Sequence, residues 1–165
     1  MRTIIHDLAP ETIAVLAVPD ATTRLFSADG RYAPCQGCFQ CWLKNPGFCV
    51  MKDRLQHAGA LVGESDPLIL ISRLCYGSYS SPVKTVLDRA IGVSLPLFTI
   101  RGGQSHHPLR YPARELLQVF FYGDATSQEQ DVARELVERN RINLGFRRAE
   151  VRFFPTPEEI KGAWA

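Results

Sequence analysis

Residues 67–74 read PLILISRL, and this stretch decides the fold class of the chain. A run of apolar residues of this length is typical of a β-strand that is buried on both faces of a parallel sheet. Four more strands are predicted on either side of it, at residues 3–8, 22–28, 116–122 and 149–154. Strands that alternate with helices form a parallel sheet with right-handed crossovers and helices on both faces.

The segments between these strands carry helix signals. Ser81 is predicted to cap a helix whose first residue is Pro82, and Gly92 closes its pattern of apolar residues at every third or fourth position. Ser127 and Gln130 have the spacing of a capping box, which predicts a second helix that ends before Gly145. Weaker start signals predict helices at two further positions, Asp53 and Thr156.

The composition is that of one ordinary globular domain. The chain has 165 residues, of which 45% are hydrophobic and 22% are charged, and this balance argues against a mainly disordered protein. A net charge of +2 is too small to indicate a nucleic-acid partner. No apolar run approaches the roughly 18 residues of a membrane span, and the N-terminus does not read as a signal peptide. We therefore expect one domain over residues 1–165, in the cytoplasm, without a membrane or nucleic-acid partner.

Four of the five cysteines lie close together. They are spaced C-x2-C-x2-C-x7-C, at Cys35, Cys38, Cys41 and Cys49. In a reducing cytoplasm disulfides are not expected, and four thiolates at this spacing can converge on one metal centre. The spacing is closer to an iron–sulfur motif than to a zinc finger. Three interpretations stay open: a ligated cluster, thiols that only pack in a turn, and zinc or redox chemistry.

Two segments carry a resemblance to a known family. Residues 35–53 read CQGCFQCWLKNPGFCVMKD, and residues 76–89 read YGSYSSPVKTVLDR. Together they resemble the NADPH-dependent FMN reductase and iron–sulfur flavoprotein group. The likeness extends over about residues 22–125.

This resemblance implies a fold, a cofactor and an activity. The fold is a flavodoxin-like three-layer α/β sandwich with five parallel strands in the order 2-1-3-4-5. FMN is expected at the carboxyl ends of the strands, and electrons pass from NAD(P)H through the flavin to an unknown acceptor. In the iron–sulfur branch of the group, cysteines in the positions of Cys35, Cys38, Cys41 and Cys49 bind a 4Fe–4S cluster. The cofactor carries the redox chemistry, so no side chain is predicted as an obligatory catalytic acid or base.

The first crossover departs from the family pattern. Relatives hold the FMN phosphate in a glycine- and hydroxyl-rich loop after the first strand, whereas this chain reads HDLAPET at residues 6–12. That segment has no glycine, and its Asp7 and Glu11 repel a phosphate, while Pro10 lacks an N–H. Only residues 9–21 separate the first two strands, so a helix of one or two turns is expected.

The candidate flavin-binding residues lie mainly after the third and fourth strands. They are Ser72, Arg73, Cys75, Tyr76, Gly77, Ser78, Tyr79 and Gly123. Arg73 either replaces lost phosphate donors, stabilises an anionic reduced flavin, or is an ordinary surface arginine. Tyr76 and Tyr79 either stack on the flavin ring or pack beneath the loop.

The polar loop of residues 101–114 supplies two more candidates. It contains His106 and His107, and it is expected to return to the same sheet edge as Tyr76. Two adjacent glycines allow a close approach to a ligand, and a histidine can donate a proton near neutral pH. A contact between two copies of the chain and a plain surface loop are the alternatives.

Three functions therefore stay open. The first is an FMN-dependent, NAD(P)H-dependent oxidoreductase that acts on a small molecule or a redox partner, as a homodimer or other homo-oligomer. The second is a flavodoxin-like oligomeric binding module that has lost flavin. The third is an electron-transfer or sensor protein built on the cysteine cluster. Fold alone does not choose among them.

Overall fold

The computed structural model describes residues 1–16 and 21–163. In chain order the strands are β1 (Arg2–His6), β2 (Thr23–Ser27), β3 (Leu68–Cys75), β4 (Ser78–Tyr79), β5 (Thr99–Arg101), β6 (Gln104–His106), β7 (Arg114–Tyr122) and β8 (Phe146–Phe154). The helices are α1 (Pro10–Leu16), α2 (Gln40–Leu43), α3 (Ala58–Gly63), α4 (Ser81–Arg89) and α5 (Ser127–Leu144). Two 3₁₀ turns occupy Ala90–Val93 and Pro157–Ile160.

The main sheet confirms the predicted fold class. Five strands pair in parallel in the order β2-β1-β3-β7-β8, which is the flavodoxin-like order 2-1-3-4-5. Strand β3 lies at the centre, and its side chains are almost all buried, as its apolar sequence predicts. The sequence did not predict β4, which pairs antiparallel with β3, the separate hairpin of β5 and β6, or the short helix α2.

The two faces of the sheet are covered unequally. Helices α3, α4 and α5 bury the larger core cluster on one face, while α1 and the turn at Pro157–Ile160 cover a smaller cluster on the other. Over β7 and β8 this second face carries a polar network, in which Gln118 Nε2 donates to Glu150 Oε2 at 3.0 Å. Arg148 pairs with the same carboxylate at 3.2 Å. Part of the sheet therefore faces water with polar side chains, which corrects the expectation of full cover on both sides.

The capping box of helix α5 lies one residue earlier in the sequence than predicted. The N-cap is Thr126, whose Oγ1 accepts a hydrogen bond from the Glu129 backbone N–H at 3.2 Å. The Glu129 carboxylate accepts in return from the Thr126 N–H at 2.9 Å. The Ser127 and Gln130 assignment was therefore wrong, because Ser127 is already the first helical residue. Gly145 ends the helix with a φ of 84°, as predicted.

The first crossover is short in its described part. Helix α1 has seven residues and buries Ile13 and Leu16, in agreement with a helix of one or two turns. Residues 17–20, which belong to the same predicted crossover, lie outside the described part of the chain. Within residues 1–16 and 21–163, no helix combines the length and apolar character needed to cross a bilayer.

Candidate flavin site at the carboxyl edge

The carboxyl ends of the parallel strands meet at one edge of the sheet. We call this the carboxyl edge, and we define it by residues 7–12, 73–77 and 122–124, which follow or end β1, β3 and β7. Strand β1 is followed by a crossover to one side and β3 by a crossover to the other, so the crevice between them is the switch point of the sheet. In open α/β sheets a ligand binds at such a crevice.

Asp7 bridges this crevice. Its backbone N–H donates to the Ile71 carbonyl at 3.3 Å, and its Oδ2 accepts from the Arg73 backbone N–H at 3.0 Å. Its Oδ1 accepts from the Tyr122 hydroxyl at 3.0 Å. Burial and the adjacent negative charge of Asp7 raise the pKa of Tyr122, which keeps that hydroxyl protonated as a donor. One carboxylate therefore joins the ends of three strands.

The segment after β1 does not fit the phosphate of FMN. Phosphate sites in proteins offer several free backbone N–H groups at a helix N-terminus. Here the Leu8 N–H already donates to His6 Nδ1 at 3.2 Å, and Pro10 at the start of α1 has no N–H. Glu11 places a second negative charge in the first turn of α1, beside that of Asp7.

His6 itself is part of the protein interior. It is 1% exposed, and its Nε2 has no hydrogen-bond partner among the described residues. Burial lowers the pKa of His6, against smaller effects of Asp7 and Leu8. Neutral His6 therefore stabilises the turn after β1, and its side chain is not available to a ligand at the edge.

Tyr76 is presented to solvent at the tip of a tight hairpin. Cys75 pairs with Ser78 across a two-residue turn, in which Tyr76 has a φ of 52° and Gly77 a φ of 75°. These values are those of a type I′ turn. A Cβ at Gly77 would lie 2.8 Å from Val132 Cγ1, so the turn packs tightly against the first part of α5. Tyr76 is 95% exposed.

The predicted flavin-binding residues separate into two groups. Arg73, Cys75, Tyr76, Gly77 and Gly123 lie at the carboxyl edge, where a Cβ on Gly123 would be 3.7 Å from Arg73 Cγ.

The second group faces inward. Ser72 is buried, and its Oγ accepts from the Ser80 N–H at 2.9 Å. Tyr79 is 3% exposed, and its hydroxyl accepts from Asn140 Nδ2 at 3.1 Å. Ser78 is half-buried. Ser72 and Tyr79 thus support the hairpin from beneath.

His106 and His107 lie at the opposite end of the sheet, which corrects the expected position of their loop. His106 Nδ1 is 3.1 Å from Asn143 Oδ1, near the last turn of α5, whereas Gly77 contacts Val132 near its start. Eleven residues of α-helix between those two contacts span roughly 17 Å. The loop returns to the amino ends of the strands because β7 begins immediately after it, at Arg114. The histidines therefore do not form one site with Tyr76.

His107 takes part in a row of aromatic rings. Its ring centroid is 4.7 Å from that of Trp42 and 4.8 Å from that of Phe98. Trp42 in turn stacks on Phe39 at 5.2 Å. Its neighbours therefore account for His107 as a packing residue between the cysteine segment and the β5–β6 hairpin.

The four clustered cysteines line one small cavity. Cys35 and Cys38 are exposed, whereas Cys41 and Cys49 are half-buried, and all four border a space of about 30 Å³. Burial raises the pKa of Cys41, and the three neighbouring thiols raise it further.

This arrangement does not fit a 4Fe–4S cluster. The cavity of about 30 Å³ leaves room for only about two water molecules. Within the described ranges, no three His, Cys, Asp or Glu side chains stand in a metal-ligating arrangement. The thiols are neighbours, but their present positions do not form a ligand set.

An ion pair that sequence reasoning missed joins the two family-like segments. Asp53 ends the first segment and Arg89 ends the second, and their side chains form a bidentate pair with distances of 2.8 and 3.0 Å. The hydrogen bonds from Arg89 hold the pKa of Asp53 below its usual range. Burial alone lowers the pKa of Arg89, but its contacts with Asp53 and Cys49 outweigh this effect and raise it. The sequence offered one signal for this pair: the first segment ends on an acidic residue and the second ends on a basic residue.

The strand order and the switch point between β1 and β3 define a flavodoxin-like α/β protein. Neither a protein-family model nor a curated protein matches the chain. Among solved structures, an azoreductase from Bacillus anthracis str. Sterne superposes with a TM-score of 0.56 at 12% identity, over 97% of this chain and 89% of that one. The azoreductase AzrA gives 0.53 at 11% identity, over 96% and 88%.

A flavodiiron core, Flv1 from Synechocystis sp. PCC6803, aligns with 95% of this chain at 13% identity and a TM-score of 0.43. The chain spans about a third, 31%, of the length of that protein. The superpositions on the two azoreductases, at 11–12% identity, support a common fold and leave the activity to be argued from the site.

Proposed function

We propose that the chain is a flavin-dependent oxidoreductase, with the flavin ring at the carboxyl edge and NAD(P)H as the electron donor. The observation that carries the proposal is the position of Tyr76. Tyr76 is 95% exposed, its backbone is held in a turn with a positive φ, and it follows the end of β3, one of the two strands that border the ligand-binding crevice of flavodoxin-like sheets. A large exposed aromatic ring held in this way is a platform for a planar ligand.

The neighbouring residues have defined roles in this proposal. Gly123, with a φ of 103° and no side chain, allows a ligand to approach the end of β7. Arg73 has an exposed side chain beside Gly123, where its positive charge stabilises negative charge on a reduced ring. A bound flavin supplies the redox chemistry, and the protein supplies the position of the ring and the local charge.

FMN is the cofactor expected from the family resemblance, with NADPH as co-substrate and a small molecule or redox partner as the acceptor. The ring of FMN has a platform at Tyr76, but its phosphate has no cradle in the segment after β1. The acceptor is left open. We place the protein in a reducing compartment such as the cytoplasm, where all five cysteines stay as the free thiols of the structure.

A flavin titration tests the proposal. Fluorescence quenching on addition of riboflavin or FMN to the purified chain measures binding, and NADPH oxidation in the presence of the bound flavin measures turnover. Tyr76→Ala is expected to weaken binding about fivefold through loss of ring stacking. Phe98→Ala is the matched control, because Phe98 is 76% exposed at the opposite end of the sheet. A protein that neither binds flavin nor oxidises NADPH refutes the function.

A flavin-free binding module is the second candidate, and the Asp7 bridge favours it. Asp7 closes with its own hydrogen bonds the crevice that a ligand would otherwise enter. In this case we propose assembly of two copies through the β5–β6 hairpin and the two residues before it, where Leu97, Phe98 and Ile100 are 63–76% exposed. Light scattering of the wild type and of Phe98→Asp tests it, since the substitution is expected to halve the measured mass.

The third function, electron transfer by a cysteine-bound iron–sulfur cluster, stays a prediction from the spacing alone. Purification without oxygen tests it through the visible spectrum. A broad brown absorbance that reductant bleaches supports a cluster, and a featureless spectrum with four titratable thiols in this segment refutes it.

A further inference from the structure

We propose that the carboxyl edge selects a flavin without a phosphate group, of which riboflavin is the simplest, over FMN. This inference rests on the proposed function, because it concerns which flavin occupies the same edge. It follows from the charges, the donors and the acceptors that surround the crevice between β1 and β3.

The charge at this edge is unfavourable for an anion. Asp7 lies in the crevice, Glu11 is exposed in the first turn of α1, and Asp124 is exposed after β7. Arg73 is the positive side chain beside them. Within the residues that define the carboxyl edge, three carboxylates and one guanidinium leave a net negative charge, and Asp7 is held in place by hydrogen bonds to two other strands. A phosphate dianion at this position meets fixed like charge.

The backbone donors nearest the crevice are already used. The Asp7 N–H donates to Ile71, the Leu8 N–H to His6 and the Arg73 N–H to Asp7. A phosphate that displaces these bonds leaves their former acceptors without partners, and this desolvation cost opposes its binding.

The same groups suit a neutral sugar-alcohol chain. Hydroxyl groups donate as well as accept, and a carboxylate is a strong acceptor for them. The ribityl chain of riboflavin carries such hydroxyls and no charge. The arrangement that rejects a phosphate therefore accepts the phosphate-free side chain of the same ring.

The size of the effect follows from the Coulomb interaction. A doubly charged phosphate within about 5 Å of one carboxylate is repelled enough to lower its affinity roughly tenfold in water of low ionic strength. Salt at physiological strength reduces this difference to a few-fold, because the Debye length is then about 8 Å.

The experiment compares riboflavin with FMN on the purified chain by fluorescence quenching, in about 10 mM salt where the Debye length is about 30 Å. Riboflavin is expected to bind at least about tenfold more tightly. Asp7→Asn keeps an acceptor for the Arg73 N–H and removes the charge, so the ratio of riboflavin affinity to FMN affinity is expected to fall several-fold. Glu115→Gln is the matched control, because it removes an exposed charge at the start of β7, at the opposite edge.

The outcomes separate this inference from the function on which it rests. If FMN binds as tightly as riboflavin, or more tightly, the inference is overturned and the flavin-dependent function stands. If neither flavin binds, the proposed function fails and the inference fails with it. If Asp7→Asn does not fold, the wild type still tests the inference. Raising the salt concentration is expected to reduce the difference in affinity between riboflavin and FMN, and a difference that is independent of salt overturns the inference.

Discussion

Replacement of Asp53 by asparagine is the most direct test of how the two family-like segments are held together. Arg89 has a side chain that is 0% exposed, and it donates to both carboxylate oxygens of Asp53 and to the Ala33 carbonyl at 2.7 Å. Asp53 also accepts from the backbone N–H groups of Ala33 and Leu55. The pair therefore anchors the cysteine segment to the end of α4.

The expected loss is about 2–3 kcal/mol of unfolding free energy. Removing one partner of a fully buried ion pair destabilises a protein by about 3–5 kcal/mol, because a charge is left buried without compensation. Asp53 is 23% exposed, so solvent screens part of its charge and the expected loss falls at or below the lower end of that range. Asparagine keeps one oxygen acceptor but turns an amide group towards a guanidinium that only donates.

Urea unfolding at pH 7 measures the effect, provided that the slope of the transition does not change. Asp88→Asn is the matched control, since Asp88 pairs with Lys84 on the exposed surface of α4, and its loss is expected to be below about 0.5 kcal/mol. Because Arg89 lowers the pKa of Asp53, the contribution of this pair is full above about pH 4 and is lost as the pH falls. A loss below about 1 kcal/mol for Asp53→Asn, or one equal to that of the control, refutes the anchoring role.

Three further predictions follow from single sites. Burial lowers the pKa of His6, so the contribution of neutral His6 to stability is complete above about pH 6.5 and declines as the pH falls below that value. In urea unfolding at pH 7.5 and 5.5, the free energy of unfolding is expected to decline less between the two pH values for His6→Asn than for the wild type. Thr126→Ala is expected to lower the free energy of unfolding by about 1 kcal/mol, whereas Ser127→Ala is expected to change it very little. Equal losses for the two variants would contradict the assignment of Thr126 as the N-cap. Gly145→Ala is expected to lower the free energy of unfolding by about 1–2 kcal/mol, because residue 145 has a φ of 84° and its Cβ would lie 2.2 Å from Leu109 Cδ1. A thermal unfolding midpoint equal to that of the wild type would contradict this prediction.

The proposed function and the specificity inference depend on different residues of the same edge. Tyr76 carries the first, through an exposed ring that a flavin of any kind can cover. Asp7 carries the second, through a fixed charge that distinguishes flavins by their side chains. Substitutions at these two positions therefore report separately on ring binding and on phosphate rejection.

The sequence by itself determined the class of the fold. The apolar stretch at residues 67–74 became the buried central strand β3, and the periodic helices after Ser81 and Ser127 became α4 and α5. The absence of the phosphate loop could also be predicted from residues 6–12, because the effects of glycine, proline and acidic residues on a phosphate loop are confined to a few neighbouring positions. These features are local, so a periodic pattern or a short motif is enough to reveal them.

Only the tertiary structure decided what the edge of the sheet contains. The bridge of Asp7 joins residues that are 66 and 115 positions apart, and the Asp53–Arg89 pair spans 36. The sequence placed His106 and His107 beside Tyr76, but the loop returns to the start of β7 and thus to the other end of α5. A parallel strand carries the chain from one edge of the sheet to the other and a helix carries it back, so the edge at which a loop lies depends on where the next strand begins. Contacts across that edge form only when the strands are paired, and a pattern read along one chain does not contain them.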